Sequence, residues 1–322
     1  MGTDGEGAGR WDEGGGSAPH PTPREGSRLA IGVVSAGRVG AVLGAALANA
    51  GHTVVAASAV SRASRARAEE LLPGAEILPP DEVVRRADLA ILAVPDDVLP
   101  GLVRGLAASE CLRPGQIVVH TCGAAGVGVL APAAEHAVLP IALHPAMTVT
   151  GRVEDVARLS GACVGVTGPE GPGEDADAAW LVGEALVVEM GAEPVRIPEA
   201  MRPLYHAALA HGANHLVTLV REAADILSGA GIEPAERVLA PLLSAALDNA
   251  LRHGDRALTG PVVRGDAGTV ATHLRHLDER APDAAPLYRA LARRTAERAR
   301  AGGLVDPAAA DDVVAALERP RP

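Results

Sequence analysis

The sequence predicts an α/β fold in which a mostly parallel sheet domain is followed by an all-helical C-terminal domain. Two observations carry this. From Arg28 to about Ile197, short β-type runs alternate with helical segments, the pattern of a sheet flanked by helices. After Pro198 the β signal stops and long Ala/Leu-rich helical patterns replace it. The chain's 322 residues, 48% of them apolar, suffice for two domains with buried cores. Ala, Val and Leu dominate, with no Phe, two Trp and two Tyr, so close helix packing through small residues is expected rather than an aromatic core.

Residues 1–27 are rich in Gly and Pro, lack the apolar stretch of a signal peptide, and read as a disordered tail. The sheet domain is expected over 28–198. Its strands are predicted at 29–34, 53–57, 75–77, 89–94, 116–120, 139–143, 162–166 and 194–197, several of them near-continuous apolar runs suited to burial on both faces. The helical domain is expected over 199–322, with helices at 201–228, 236–253, 267–280, 285–301 and 307–318. Breaks such as "GAGIEP" and "RHGD" separate them.

Composition narrows the function. A formal charge of −11 argues against a nucleic-acid or anionic-membrane partner, although it permits one small, locally bound phosphate. No run reaches the length of about 18 apolar residues needed to span a membrane. Cys111, Cys122 and Cys163 form neither a CxxC pair nor a metal-ligand spacing, which suits a reducing cytoplasm, and no metal site is expected.

The segment "IGVVSAGRVG" leads the first strand into Ser35, Ala36, Gly37, Arg38, Val39 and Gly40, followed by an apolar helix ending at Gly51. Strand, tight turn and helix in this order make a dinucleotide loop. Its middle glycine lets backbone approach the pyrophosphate, its last lets helix pack on strand, and the helix N-terminus offers free N–H groups to the anion. Gly37 and Gly40 hold those two places. Ser35 stands where the first glycine of G-x-G-x-x-G belongs, with a hydroxyl available for a phosphate oxygen.

The second strand indicates which dinucleotide. An acid at its end would hold an unphosphorylated ribose, yet no Asp or Glu occurs from Arg28 through Ala68. Instead Ser61, Arg62 and Ser64 follow, able to bind a 2′-phosphate by charge and hydrogen bonds, so NADP(H) is expected over NAD(H). The competing reading makes Arg62, Arg65 and Arg67 a solvated helix face. Two more strand ends point to the same crevice, with Val94 and Pro95 after the fourth strand and His120 and Thr121 after the fifth. Cys122 reads as a small loop residue rather than a nucleophile.

Taken in order, "GVVSAGRVG", "AVPDD", "HTCGA", "LHPAMT", "LYHAALAHGANHL" and "TGPVVRGDAGTVATHL" resemble the Rossmann-like and DUF2520 domain proteins. These are distant relatives of ketopantoate, pyrroline-5-carboxylate and 6-phosphogluconate-type reductases. The resemblance runs from about Arg28 to the C-terminus, and the usual "HTSG" is here His120-Thr121-Cys122-Gly123. It implies a Rossmann-like domain and an NADPH-dependent reductase of a small carbonyl or imine compound, with ketopantoate as the leading substrate and a homodimer as the assembly.

The first long helix of the second half is otherwise Ala/Leu/Val yet carries Tyr205, His206, His211, Asn214 and His215. At about 100° per residue His206 and Asn214 lie roughly 80° apart and can border one side of a regular helix. By the resemblance, His206 donates the proton to the reduced group and Asn214 orients substrate or cofactor amide. Histidine suits the step because it titrates near neutrality. The competing reading is a hydrogen-bonded structural histidine. His211 and His215 have metal-ligand spacing but no acidic partner of the H-E-x-x-H kind. Tyr205 and His144 are candidate substrate contacts, with His144-Pro145 equally readable as a turn. Arg264 is a candidate partner for a substrate carboxylate, held by Asp266; alternatively Asp266 only caps the following helix. Two other functions stay open, a prephenate-type dehydrogenase of the same architecture and a non-catalytic NADP-sensing or scaffold protein.

Overall fold

The computed structural model describes residues 28–171 and 174–318; the tail expected over 1–27 lies outside them. The chain divides into two compact units, the first ending at Ala207 and the second beginning at Ala208. The sequence break at Pro198 therefore precedes the division by nine residues, because the segment after Pro198 packs on the sheet.

In the first unit β1 (Ala30–Val34) leads to α1 (Arg38–Asn49), β2 (Thr53–Ala57) to α2 (Arg62–Leu71), and β3 (Glu76–Ile77) to α3 (Pro80–Arg85). Then come β4 (Leu89–Leu92), α4 (Leu99–Ala108), β5 (Ile117–His120), the short α5 (Ala131–Ala134) and β6 (Leu139–Pro145). The unit continues through α6 (Val153–Leu159), β7 (Cys163–Thr167), α7 (Glu174–Glu189) and β8 (Glu193–Arg196). Every predicted strand is present. They form one eight-stranded sheet in the order β3-β2-β1-β4-β5-β6-β7-β8. Pairing is parallel except between β6 and β7. The order reverses between β1 and β4, and a ligand crevice of an open α/β sheet lies at such a switch point.

The strands are buried on both faces, as their apolar runs require. Ile31, Val33, Ile91 and Ile141 pack with Leu43, Leu47 and Leu186 on one side. Val34, Leu92 and Val118 pack with Val83, Leu99 and Val103 on the other.

The predicted helix over 201–228 is present and carries a π-helical turn inside it. A regular α8 (Arg202–Leu209) gives way to a π-helical turn (Ala210–Asn214) before α9 (His215–Gly229). The second unit then contains α10 (Ala235–His253), α11 (Ala267–Arg280), α12 (Ala285–Ala301) and α13 (Pro307–Glu318). Val262, Val270, Leu274, Ala292, Ala296, Val313 and Leu317 make its core. Among the described residues no helix is long and apolar enough to cross a membrane.

Candidate active site

The turn after β1 is anchored from β2. Ser58, at the end of β2, is buried; its hydroxyl accepts from Ser35 N at 2.8 Å, and its carbonyl accepts from Ala36 N at 2.7 Å. Ser35 has φ 75°, the left-handed conformation that a glycine adopts freely and a serine adopts at a cost of roughly 1–2 kcal/mol. The substitution thus preserves the turn and strains it. Ser35→Gly is expected to raise stability by up to about 1 kcal/mol in urea melts and to leave NADPH affinity unchanged; a weakened affinity would show that the hydroxyl touches phosphate.

Gly37 caps α1 without any side-chain hydrogen bond, and the first turn of that helix carries no acid. Its leading N–H groups and the exposed Arg38 therefore remain available to an anion. A Cβ at Gly40 would collide with Ser35 O and lie 2.8 Å from Ala93 Cβ, so the helix sits as close to the strand as backbone allows.

α2 begins beside this turn. Ser61 caps it by accepting from Ser64 N at 3.1 Å, and Ser64 Oγ donates to Ser61 O at 2.9 Å. Arg62 is exposed, and Arg67, half-buried, donates to Ala36 O at 3.2 Å. Arg38, Arg62, Arg65 and Arg67 belong to none of the ion pairs among the described residues. A capped helix start with free guanidinium groups and no carboxylate fits a phosphorylated ribose. Arg67 is thereby more than a solvated helix residue.

Gly151 is buried beside both Arg38 and Arg67. Its loop is tied down by the buried carboxylate of Asp155, which accepts from Thr150 N and Gly151 N at 2.7 Å each and from Thr150 Oγ1 at 2.9 Å. Those hydrogen bonds keep the Asp155 carboxyl below the usual carboxylate range against the opposing effect of burial. Asp155 left no sequence signal beyond an acid in the first turn of a helix.

A cavity of about 190 Å³ connects the turn to the next strand ends. Arg38, Val39, Thr121, His144, Pro145, Met147 and Val149 line it. Beyond His144 lie two rings from α8. Tyr205 OH is 3.1 Å from His144 Nδ1, and the His206 ring centroid is 5.6 Å from that of His144, edge to face. Gly123 makes room for the pair, since a Cβ there would stand 2.5 Å from His206 Cδ2 and 2.9 Å from His144 Nε2. Thr121, His144, Tyr205 and His206, read separately from the sequence, therefore belong to one cluster. Gly123→Ala is expected to leave the fold intact and cut turnover by at least about tenfold through displacement of the two rings, checked by circular dichroism beside steady-state kinetics.

The expectations for His120 and for Arg264 held by Asp266 change. His120 is fully buried, its Nε2 3.0 Å from Gly126 O and its Nδ1 accepting from Cys122 N at 3.2 Å, so the imidazole shapes its own loop and has no nitrogen left for a cofactor. Asn214 is exposed on the π turn. Asp266 caps α11, accepting from Thr269 N at 2.9 Å and Thr269 Oγ1 at 2.6 Å, and forms no ion pair with the exposed Arg264. Pro95 makes a turn, its carbonyl accepting from Val98 N and Leu99 N at the start of α4, while Val94 packs against the core beneath α4. His211 and His215 are exposed, with Nδ1 atoms 3.3 Å apart.

Burial pushes His120 down from 6.5 to about 4, and burial with the charge of Arg202 does the same to His144. Both rings stay neutral in the folded chain while the unfolded chain takes up protons below pH 6.5. Their stabilisation is complete above that pH and lost as the pH falls towards 4, on the order of 3 kcal/mol for His120. Urea midpoints should fall between pH 7 and pH 5; an unchanged midpoint would contradict this.

Residues 18–145 match the Rossmann-like domain family, and residues 171–295 match the domain of unknown function DUF2520. The chain is a Rossmann-like and DUF2520 domain protein. No curated protein matches the sequence. Among solved structures, the DUF2520 chain is similar to a proposed NADP oxidoreductase from Bacteroides fragilis, at 23% identity over 83% of this chain and 98% of that one, TM-score 0.66. It also resembles an imine reductase from Myxococcus stipitatus in complex with NADP+, 18% identical over 90% of this chain and all of that one, TM-score 0.62. A third likeness is to a Plasmodium falciparum pyrroline carboxylate reductase with NADP bound, 12% identical over 90% and 98% of the two chains, TM-score 0.51. At these identities the likeness is one of fold.

Proposed function

We propose that this DUF2520 protein is an NADPH-dependent reductase of a small carbonyl or imine compound, with 2-keto acids such as ketopantoate foremost. One observation carries the reading. The cavity that begins at Arg38 and Val39, on the helix suited to a pyrophosphate, ends at His144, beside Tyr205 and His206. The solved structures with NADP bound support the same cofactor.

In this reading Ser35–Gly40 and Arg38 hold the pyrophosphate, and Ser61, Arg62, Ser64 and Arg67 hold the 2′-phosphate. A bound nicotinamide would supply a hydride. The chain's own task is to exclude water, orient the substrate and supply the proton: His206 would give one proton to the carbonyl oxygen whose carbon takes the hydride, so that the ketone would become an alcohol. Tyr205 and His144 orient that oxygen.

Following NADPH absorbance across a panel of 2-keto acids and cyclic imines tests the reading. His206→Ala should lower kcat by about 10²–10⁴ with NADPH affinity unchanged. Tight NADPH binding without hydride transfer to any member of the panel would favour an NADP sensor or scaffold instead.

A homodimer belongs to the same proposal. α10 has one buried residue, Ala235, in 19, while Val238, Leu242, Leu247 and Leu251 are exposed on it, and Leu216 and Val217 are exposed on α9. An apolar helix face of this size ordinarily packs against something. Light scattering should give twice the chain mass, and Leu242→Asp with Leu251→Asp should halve it.

A further inference from the structure

Arg202, at the start of α8, is fully buried. Its Nε donates to Thr167 Oγ1 at 2.8 Å, and one terminal nitrogen donates to Ala142 O at 2.8 Å and Gly165 O at 3.0 Å. The other terminal nitrogen is buried without a protein partner. Among the described residues no carboxylate forms an ion pair with it. Glu199, the nearest acid in sequence, has its oxygens on Val127 N and Gly128 N at 2.7 and 3.0 Å. Asp96, whose charge reaches His144, is an exposed residue of the loop after β4.

A neutral side chain could tie β6 to β7; what a guanidinium adds is charge, and a buried cation without a counter-ion is costly to keep. That charge borders the candidate site. Arg202 Cζ lies 5.8 Å from the Tyr205 ring centroid, Tyr205 OH meets His144 Nδ1, and His144 lines the cavity. The direction of the His144 shift agrees, since Arg202 contributes to it.

We propose that the Tyr205–His144–His206 cluster is an anion subsite whose counter-charge is Arg202, and that the substrate carries a carboxylate. This rests on the reductase reading for the word substrate. The contacts come from the hydroxyl and imidazole donors, and Arg202, sealed behind them, is a positioning residue that acts through their field. A single cation balances a single negative charge, which favours carboxylate over a phosphate dianion. The carboxylate is thereby taken from Arg264, the residue the sequence offered for it.

The test measures binding by calorimetry to the full chain saturated with NADP+, so that no turnover intervenes. The probes are 4-methyl-2-oxopentanoate and its primary amide. The acid should bind at least about tenfold more tightly than the amide. Equal affinities in the wild-type protein overturn the proposal whatever the variants do, and so does displacement of the acid by an equal concentration of inorganic phosphate. Arg202→Met should erase the acid's advantage while changing amide affinity less than about twofold, and Arg202→Lys should restore part of it. Should Arg202→Met not fold, Tyr205→Phe, which removes a contact donor, should weaken the acid at least about tenfold more than the amide, and equal losses overturn the proposal. Preference for the acid without NADPH turnover would sink the reductase and leave the subsite; turnover of acid and amide alike would do the reverse.

Discussion

Arg62→Glu is expected to weaken NADPH binding by about 100-fold while NADH affinity changes less than about threefold. Arg62 is exposed at the capped start of α2 with no carboxylate partner, so its guanidinium is free for a phosphate. Loss of a charge-assisted pair accounts for about 1.5–3 kcal/mol, and a carboxylate in its place adds repulsion of a dianion. Arg67→Ala should have a smaller effect of the same sign, because its donor to Ala36 O leaves part of the fork engaged. Fluorescence titration of both nucleotides decides the matter. Equal loss of NADPH and NADH would mean that Arg62 touches the pyrophosphate or only supports the helix.

Gly40→Val should destabilise the first unit by about 3 kcal/mol and abolish dinucleotide binding. The added Cβ meets the Ser35 carbonyl and Ala93, both on backbone that cannot swing aside as a side chain end would. α1 must lift from β1, and the N–H groups at its start leave the turn. Gly101→Ala is the control, because nothing lies within 4 Å of a Cβ there and the residue is inside α4; it should be neutral or slightly stabilising. Comparable losses in both variants would mean that close approach is not what Gly40 provides.

The sheet was readable because buried parallel strands announce themselves as apolar runs, and the turn because Gly37 and Gly40 are demanded by backbone approach. His144, Thr121 and the Tyr205–His206 pair were readable as chemistry-bearing residues at strand ends or on an apolar helix. What held them together was not. Arg202 looks like any arginine near a helix start, since its partners Thr167, Gly165 and Ala142 are 35, 37 and 60 residues away. Asp155 and Ser58 are short polar residues whose meaning depends on loops that only the tertiary fold supplies. His120 misled for the same reason. A strand-end histidine reads as a ligand until the loop that folds back over it is known. The π turn, too, was hidden, because nothing in "AHGAN" distinguishes it from regular winding.

The carboxylate of Glu199 holds Val127 N and Gly128 N, just past Gly126, whose carbonyl His120 Nε2 faces. The stretch after β5 that follows Thr121 and Gly123 is thus held by a residue that lies beyond the last strand in sequence. A chain cut at Pro198 would lose the Glu199 clamp, the Arg202 tie between β6 and β7, and the Tyr205 and His206 rings. The candidate site therefore requires the chain through His206, ten residues past the last strand.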